Sequence, residues 1–287
     1  MAKENKDQST ELATAAGALV APSFIDESLF GQGFEGMGAE DYAIPFLAVL
    51  QKMSPMVDED GPAYVEGAKA GMLINTVTNK LYDGKSGIQI VPCAYKRSFI
   101  QWGGRESSAP GFKGEHAPEA VDQMKAEGKI VELEGKLYVP NEDGTVNPKK
   151  NDLIADTRSY YVIAIDPTTG ERSQAIMSMS STQIKAAKAL STQLSQRLVK
   201  VGNEMKTPPM FANVVRATTI SQSNDKGSWS GLRFECESII SDPSLFDQAR
   251  KFYKAIVAGE VKVDHAKNAD NAQAEAASSE PQDAEQF

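Results

Sequence analysis

Apolar residues in this chain gather in short runs separated by turn formers, and most runs are rich in β-branched or aromatic side chains. Residues 71–77, 87–102, 130–139, 157–165, 172–179, 211–221 and 229–240 share this character, which predicts strands. Two joins carry turn signals: Asp166-Pro167-Thr168-Thr169-Gly170 and Asn224-Asp225-Lys226-Gly227. Both predict antiparallel hairpins, because Asp, Asn, Pro and Gly preset the backbone of tight turns.

Helical spacing occurs in three places. Residues 41–51 (DYAIPFLAVLQ) place Phe46, Leu47, Val49 and Leu50 after Pro45, and proline suits the first position of a short helix. Residues 181–201 repeat Ile184, Ala187, Leu190, Leu194, Leu198 and Val201 at intervals of three and four, with Lys185, Lys188, Arg197 and Lys200 opposite; that is one apolar stripe on a long helix. A last helix starts from Asp242 as N-cap and Pro243, buries Leu245, Ala249, Phe252 and Ile256, and stops at Gly259. Strands, a long helix, a hairpin and a closing helix predict an α+β fold with an antiparallel core. The expected form is an OB-fold-like barrel elaborated by helices. Residues 1–40 are small, polar and Gly-rich, and residues 259–287 are polar and acidic. They are expected to be a flexible arm and a disordered tail around a core of residues 41–258.

Composition narrows the class. The 287 residues are 41% apolar and 24% charged with a formal charge of −9, ordinary values for a globular chain. No run of 18 apolar residues occurs, so no membrane-spanning helix is predicted. Residues 12–21 have the apolarity of a signal-peptide core, but Glu4, Asp7 and Glu11 stand where a positive segment belongs. Cys93 and Cys236 both lie in strand-like sequence, which predicts two buried thiols in a reducing cytoplasm and excludes a disulfide scaffold or a cysteine zinc site.

Catalytic and cofactor signatures are weak. Gly31-Gln32-Gly33-Phe34-Glu35-Gly36 spells G-x-G-x-x-G without a preceding strand, and Gly84-Lys85-Ser86 lacks the first glycine of a phosphate loop, since position 79 is Asn79. His116 sits in a Gly-Glu-His-Ala-Pro segment with no nucleophile signature, and His265 opens the tail. No cofactor and no metal are expected. A non-enzymatic protein is the favoured class, although a carboxylate metal site of a nuclease stays open to inspection of the fold.

Basic residues interleaved with aromatics rise above this background. In VPCAYKRSFIQWGGR (residues 91–105), period two puts Tyr95, Arg97 and Phe99 on one face, with Lys96, Trp102 and Arg105 nearby. Rings flanking a guanidinium form a platform on which unpaired bases stack while cations neutralise phosphates. In the last hairpin Leu232, Phe234, Cys236 and Ile240 read as core, which turns Trp229 and Arg233 outward beside Lys226; Arg216 lies on the preceding strand. From Lys185 to Lys254, eleven Lys and Arg oppose six acids. The tail carries Asp270, Glu275, Glu280, Asp283 and Glu285 with no basic residue after Lys267, and ends in Phe287. Such a tail can lie in a basic groove until nucleic acid displaces it.

This layout resembles bacteriophage single-stranded DNA-binding proteins, whose acidic tails ending in Phe recruit replication proteins. The segments YAIPFLAVLQKMSP, GAKAGMLINTVTNKLYDG and IQIVPCAYKRSFIQWGGR, within residues 39–105, are similar to phage-encoded replication-associated proteins. The resemblance implies sequence-independent coating of single-stranded DNA during replication or recombination, with Asp283, Glu285 and Phe287 meeting replication or recombination proteins, no membrane partner, and room for a homo-oligomer. The alternative is a phage accessory or scaffold protein that binds a host or phage protein through the tail and the methionines Met53 and Met56, or Met177 and Met179.

Overall fold

The computed structural model describes residues 22–30, 32–36, 44–224 and 227–268. Asp283, Glu285, Phe287 and most of the acidic tail lie outside the described residues, as does Lys226. Among the described residues thirteen strands and three α-helices follow one another: β1 (Leu47–Val49), β2 (Leu73–Asn75), β3 (Leu81–Tyr82), β4 (Ile88–Gly103), β5 (Gly111–His116), α1 (Pro118–Ala126), β6 (Val131–Leu133), β7 (Lys136–Tyr138), β8 (Leu153–Ile165), β9 (Arg172–Ser180), α2 (Ile184–Gln196), β10 (Val199–Val201), β11 (Glu204–Lys206), β12 (Asn213–Asn224), β13 (Gly227–Ile239) and α3 (Pro243–Val257).

The fold is α+β, built on an antiparallel half-barrel. Its main sheet runs β13-β12-β4-β8-β7-β6, with β5 added to β4 and β9 to β8. The two long strands β4 and β8 pair along their whole length, and each divides its other edge between two neighbours. β12 takes the start of β4 and β5 its end; β7 takes the start of β8 and β9 the rest. Both hairpins predicted from their turns are present. Asp166 Oδ1 accepts the amides of Thr168 and Thr169 at 2.8 Å each, closing β8 onto β9, and Asn224 faces Gly227 across the end of β12 and β13.

Alternation assigns the faces. Ile88 and Ile90 of β4 point into a cluster with Tyr160, Val162, Met177 and Met179, roofed by Ala187, Leu190 and Leu194 of α2. Val91 and Cys93 point the other way, into a cluster closed by Leu245, Ala249 and Phe252 of α3. A bulge between Pro92 and Ala94 shifts the register against β8, and an extra residue there turns the following side chains over. Met177 and Met179, considered as docking sulfurs, are therefore core.

The edges of β9 and β13 are met by backbone on one side and by side chains on the other. Pro45 accepts a hydrogen bond from the Ile176 amide of β9 at 2.9 Å. On the far side the buried Gln51 amide bonds both the N–H and the C=O of Ser230 on β13 at 2.9 Å. Gln183 repeats the device, bonding Ser230 O at 3.0 Å and the Leu232 amide at 2.9 Å. Two glutamines thus satisfy backbone that would otherwise be an open edge, a position that invites pairing with other chains.

Three expectations need correction. Residues 44–50 are not helical: Leu47–Val49 is strand β1. Phe46 enters the α3 cluster, Leu47 and Val49 the α2 cluster, and Leu50 a third. A segment buried on all sides has apolar residues at every spacing, so a strand there reads like a helix. The helix placed over residues 181–201 is α2 alone; Arg197 is extended, Leu198 and Val201 are exposed, and β10 pairs with β11. The strand placed over residues 130–139 is a hairpin, because Glu134 and Gly135 both have positive φ (50° and 77°), the geometry of a two-residue hairpin turn. The third helix matches, with Asp242 capping the Ser244 amide at 2.8 Å. Beyond it Val261 and Val263 pack on the α3 cluster, and His265 is buried against Phe46 and Phe112.

Gly84-Lys85-Ser86 is a crossing point. A Cβ on Gly84 would meet Gly71 O at 1.8 Å, and Gly84 O accepts the Thr219 amide at 2.7 Å. Cys93 is buried, which pushes its thiol up to about 12, and Cys236 is a free, half-buried thiol. Among the described residues no helix is long and apolar enough to cross a membrane.

Candidate functional site

The bulge in β4 decides the aromatic segment. Downstream of it, Tyr95, Arg97 and Phe99 share one face, opposite Tyr160, Arg158 and Asp156 of β8. Arg97 lies over the Phe99 ring, its guanidinium carbon 5.3 Å from the centroid, within the range of a cation–π contact. Tyr95 meets the buried Tyr160 edge-on at 5.2 Å. The platform nonetheless differs from three open rings. Tyr95 is 41% exposed, but Phe99 and Trp102 retain only 7% and 6%. Phe99 packs with Val121, Ile130, Leu137 and Ile154, and Trp102 stands edge-on to Phe112.

Most of the cations are partnered. Arg97 forms a two-pronged pair with Asp156, 3.1 Å from Nε and 3.0 Å from Nη2, and Arg158 Nη1 approaches the same carboxylate at 3.0 Å. Burial pushes the Asp156 carboxyl up, but the two guanidiniums outweigh it and hold it below its ordinary value. Lys96, on the opposite face, pairs with Glu115 at 2.9 Å. Glu115 is likewise raised by burial and lowered further by its hydrogen bonds and the Lys96 charge. Arg105 is exposed in the loop between β4 and β5.

The second group of predicted residues sits elsewhere. Arg216 pairs with Glu237, which also accepts from Gln89 at 2.6 Å. Leu232 and Phe234 are core and Cys236 packs on it, so alternation turns Trp229 and Arg233 outward. Trp229 is half-buried, its indole N–H held by Gln222 at 2.8 Å, and Arg233 is exposed. Ile240 packs with the α3 cluster instead of continuing that row. Trp229 and Arg233 flank the backbone groups of Ser230 and Leu232 that Gln183 bonds, and none of Arg216, Trp229 and Arg233 lines the cleft beside Arg97.

What gathers around Arg97 is a cleft of ≈ 280 Å³. Phe99, Trp102, Leu137, Leu153 and Ile184 give its apolar lining; Arg97, Lys125 and Lys136 bring positive charge, against Glu132 and Asp156. Lys125 comes from α1 and Lys136 from the turn into β7, neither of which the sequence reading connected with β4. Pro118 at the first position of α1 and the Glu134-Gly135 turn are the signals that mark those elements. Ser181 also lines the cleft with φ of 47°, a conformation that costs a non-glycine residue about 1–2 kcal/mol. The turn it makes carries the chain from β9 into α2 and puts Gln183 against β13.

The histidines take other places. His116 is half-buried on β5, with Nε2 2.9 Å from Gln101 Oε1. Burial depresses His265, opposed by the Glu115 carboxylate 3.9 Å away. Among the described residues no three His, Cys, Asp or Glu side chains gather as a metal site.

Residues 13–262 match the family model described as Pam3 phage gp34-like protein. No curated protein and no solved structure matches the chain.

Proposed function

The chain belongs to the family of Pam3 phage gp34-like proteins, and from that premise we propose that this phage protein binds unpaired nucleic acid in the Arg97 cleft, within the infected cell, during phage replication or recombination. One observation carries the reading: a guanidinium laid on a ring at the wall of a cleft that also has Trp102, Lys125 and Lys136. A base enters beside the rings and a phosphate meets the cations. Stacking is worth about 1–3 kcal/mol per base and is open only to bases not already paired. The cleft falls just below the roughly 300–1,000 Å³ usual for ligand pockets, so it accommodates one or two nucleotides. Tyr95, on the same face, and Arg105, in the loop after β4, flank the path of a longer strand, while Lys96 on the opposite face stays with Glu115. Trp229, Arg216 and Arg233 are a separate surface in this reading, and the OB-like description is kept only for its use of an open sheet face.

Anisotropy titrations with labelled oligo-dT, duplex DNA and RNA at several salt concentrations test it. Oligo-dT is expected to bind more tightly than duplex of equal length, with a log–log salt slope of about −2 for three neutralised phosphates. Equal affinity for duplex, or no binding at low salt, overturns it. An accessory role through protein contacts is the second reading, favoured by the exposed apolar residues of the N-terminal arm.

A further inference from the structure

Residues 22–36 present large apolar side chains to water. Phe24 is 86% exposed, and Phe30 and Phe34 are each 57% exposed, with Ile25 and Leu29 also open. Exposed apolar groups clustered this closely mark an interaction surface. The arm nevertheless has local order. Asp26 caps a single turn through the Ser28 amide at 2.8 Å, Gln32 Nε2 donates to Ser28 O at 2.9 Å, and the Gly33 amide bonds Glu35 at 2.9 Å. Among the described residues these bonds run within the arm, so it is a preshaped peptide displaying rings. It is also acidic: between Lys6 and Lys52 the chain has seven Asp and Glu and no Lys or Arg.

The Arg97 cleft has the opposite character, an apolar lining under Arg97, Lys125 and Lys136. We propose that the arm of one copy docks in the cleft of a second copy, one Phe ring entering beside Trp102 and Leu137 while Asp26 and Glu27 meet Lys125 and Lys136. The chain's direction favours a second copy over the arm's own cleft. Phe46 pairs parallel to Ile176, so the chain before it leaves toward the Arg172 end of β9. Ser180 and Ser181, which line the cleft, stand at the other end. The inference does not depend on nucleic-acid binding.

A fluorescein-labelled peptide of residues 22–36 is titrated into the full chain with no DNA present, alongside light scattering of the full chain over a range of concentrations. Expected are saturable binding, at least tenfold weaker for a Phe30→Ser, Phe34→Ser peptide and for the Lys125→Glu protein, and a mass that rises with concentration but stays monomeric in the full-chain Phe30→Ser, Phe34→Ser variant. The substituted side chains are exposed, so the fold is not at risk. An unbound peptide, binding indifferent to Lys125→Glu, or a wild-type chain that stays monomeric while the peptide binds each overturns the proposal. An oligo-dT titration of the double variant separates the two readings: loss of self-association with DNA binding retained removes only the association.

Discussion

The two halves of the β4–β8 ribbon are made of the same two strands and do different work. From Ile88 to Ala94, and opposite them from Tyr161 to Ile165, the apolar side chains of both faces enter cores closed by α2 and α3. Past the bulge the roof is thinner: α1 and the β6–β7 hairpin cover Phe99 and Ile154. Arg97, Asp156, Arg158, Lys96 and Glu115 crowd into this half. Burial on both faces gives stability and leaves nothing to meet a ligand. The other half keeps charges that are balanced but reachable, at the edge of a cleft.

The comparison predicts effects of different kind as well as size. In the first half, Ile90→Ala is expected to lower unfolding free energy by about 2–5 kcal/mol, the range for a buried aliphatic truncated to alanine, with oligo-dT affinity unchanged in the folded fraction. Urea denaturation measures it, and a loss below about 1 kcal/mol would break the contrast.

Next in size is an acid effect at the turn that joins β8 to β9. Burial raises the Asp166 carboxyl, but Lys80, 2.6 Å away, and the Thr168 and Thr169 amides outweigh it and hold the pKa at about 2, against 3.8 unperturbed. The folded value is the lower one, so the stabilisation is present above about pH 4 and is lost as pH falls through 2. It amounts to roughly 2–3 kcal/mol. Denaturation at a series of pH values should show that slope in the wild type and a flatter one in Asp166→Asn.

Gln51→Ala removes the amide that bonds both backbone groups of Ser230. Gln183 still donates to Ser230 O, so a loss of about 1–3 kcal/mol is expected from the Ser230 N–H left unsatisfied, with more aggregation from the opened β13 edge. Arg97→Ala should change stability least, by no more than about 1 kcal/mol, because its pair with Asp156 is partly solvated and Arg158 still faces the carboxylate. Its oligo-dT affinity should fall several-fold, reversing the pattern of Ile90→Ala.

Much of this architecture could be read from local signals. The two hairpins and α3 follow from turn and cap residues that act within a few positions, and period two placed Tyr95, Arg97 and Phe99 together because the bulge precedes all three. What failed depended on distant packing. Residues 47–49 are a strand because β2 supplies a hydrogen-bonding edge, and Phe46 beside them bridges Ile176 of β9, 130 residues away; Leu198 and Val201 continue a helical spacing but are exposed. The cleft was half legible for the same reason. Arg97 and Phe99 were visible on β4, but Asp156, 59 residues on, and Lys125 and Lys136 arrive only through the fold.

Hydrogen–deuterium exchange with and without saturating oligo-dT tests the central claim most directly, since it reports on both halves at once. The account predicts added protection in residues 95–103, 125–137 and 180–184, with residues 88–94 and the β12–β13 hairpin unchanged. Protection centred on Trp229 and Arg233, or none at any concentration that shifts anisotropy, would contradict it.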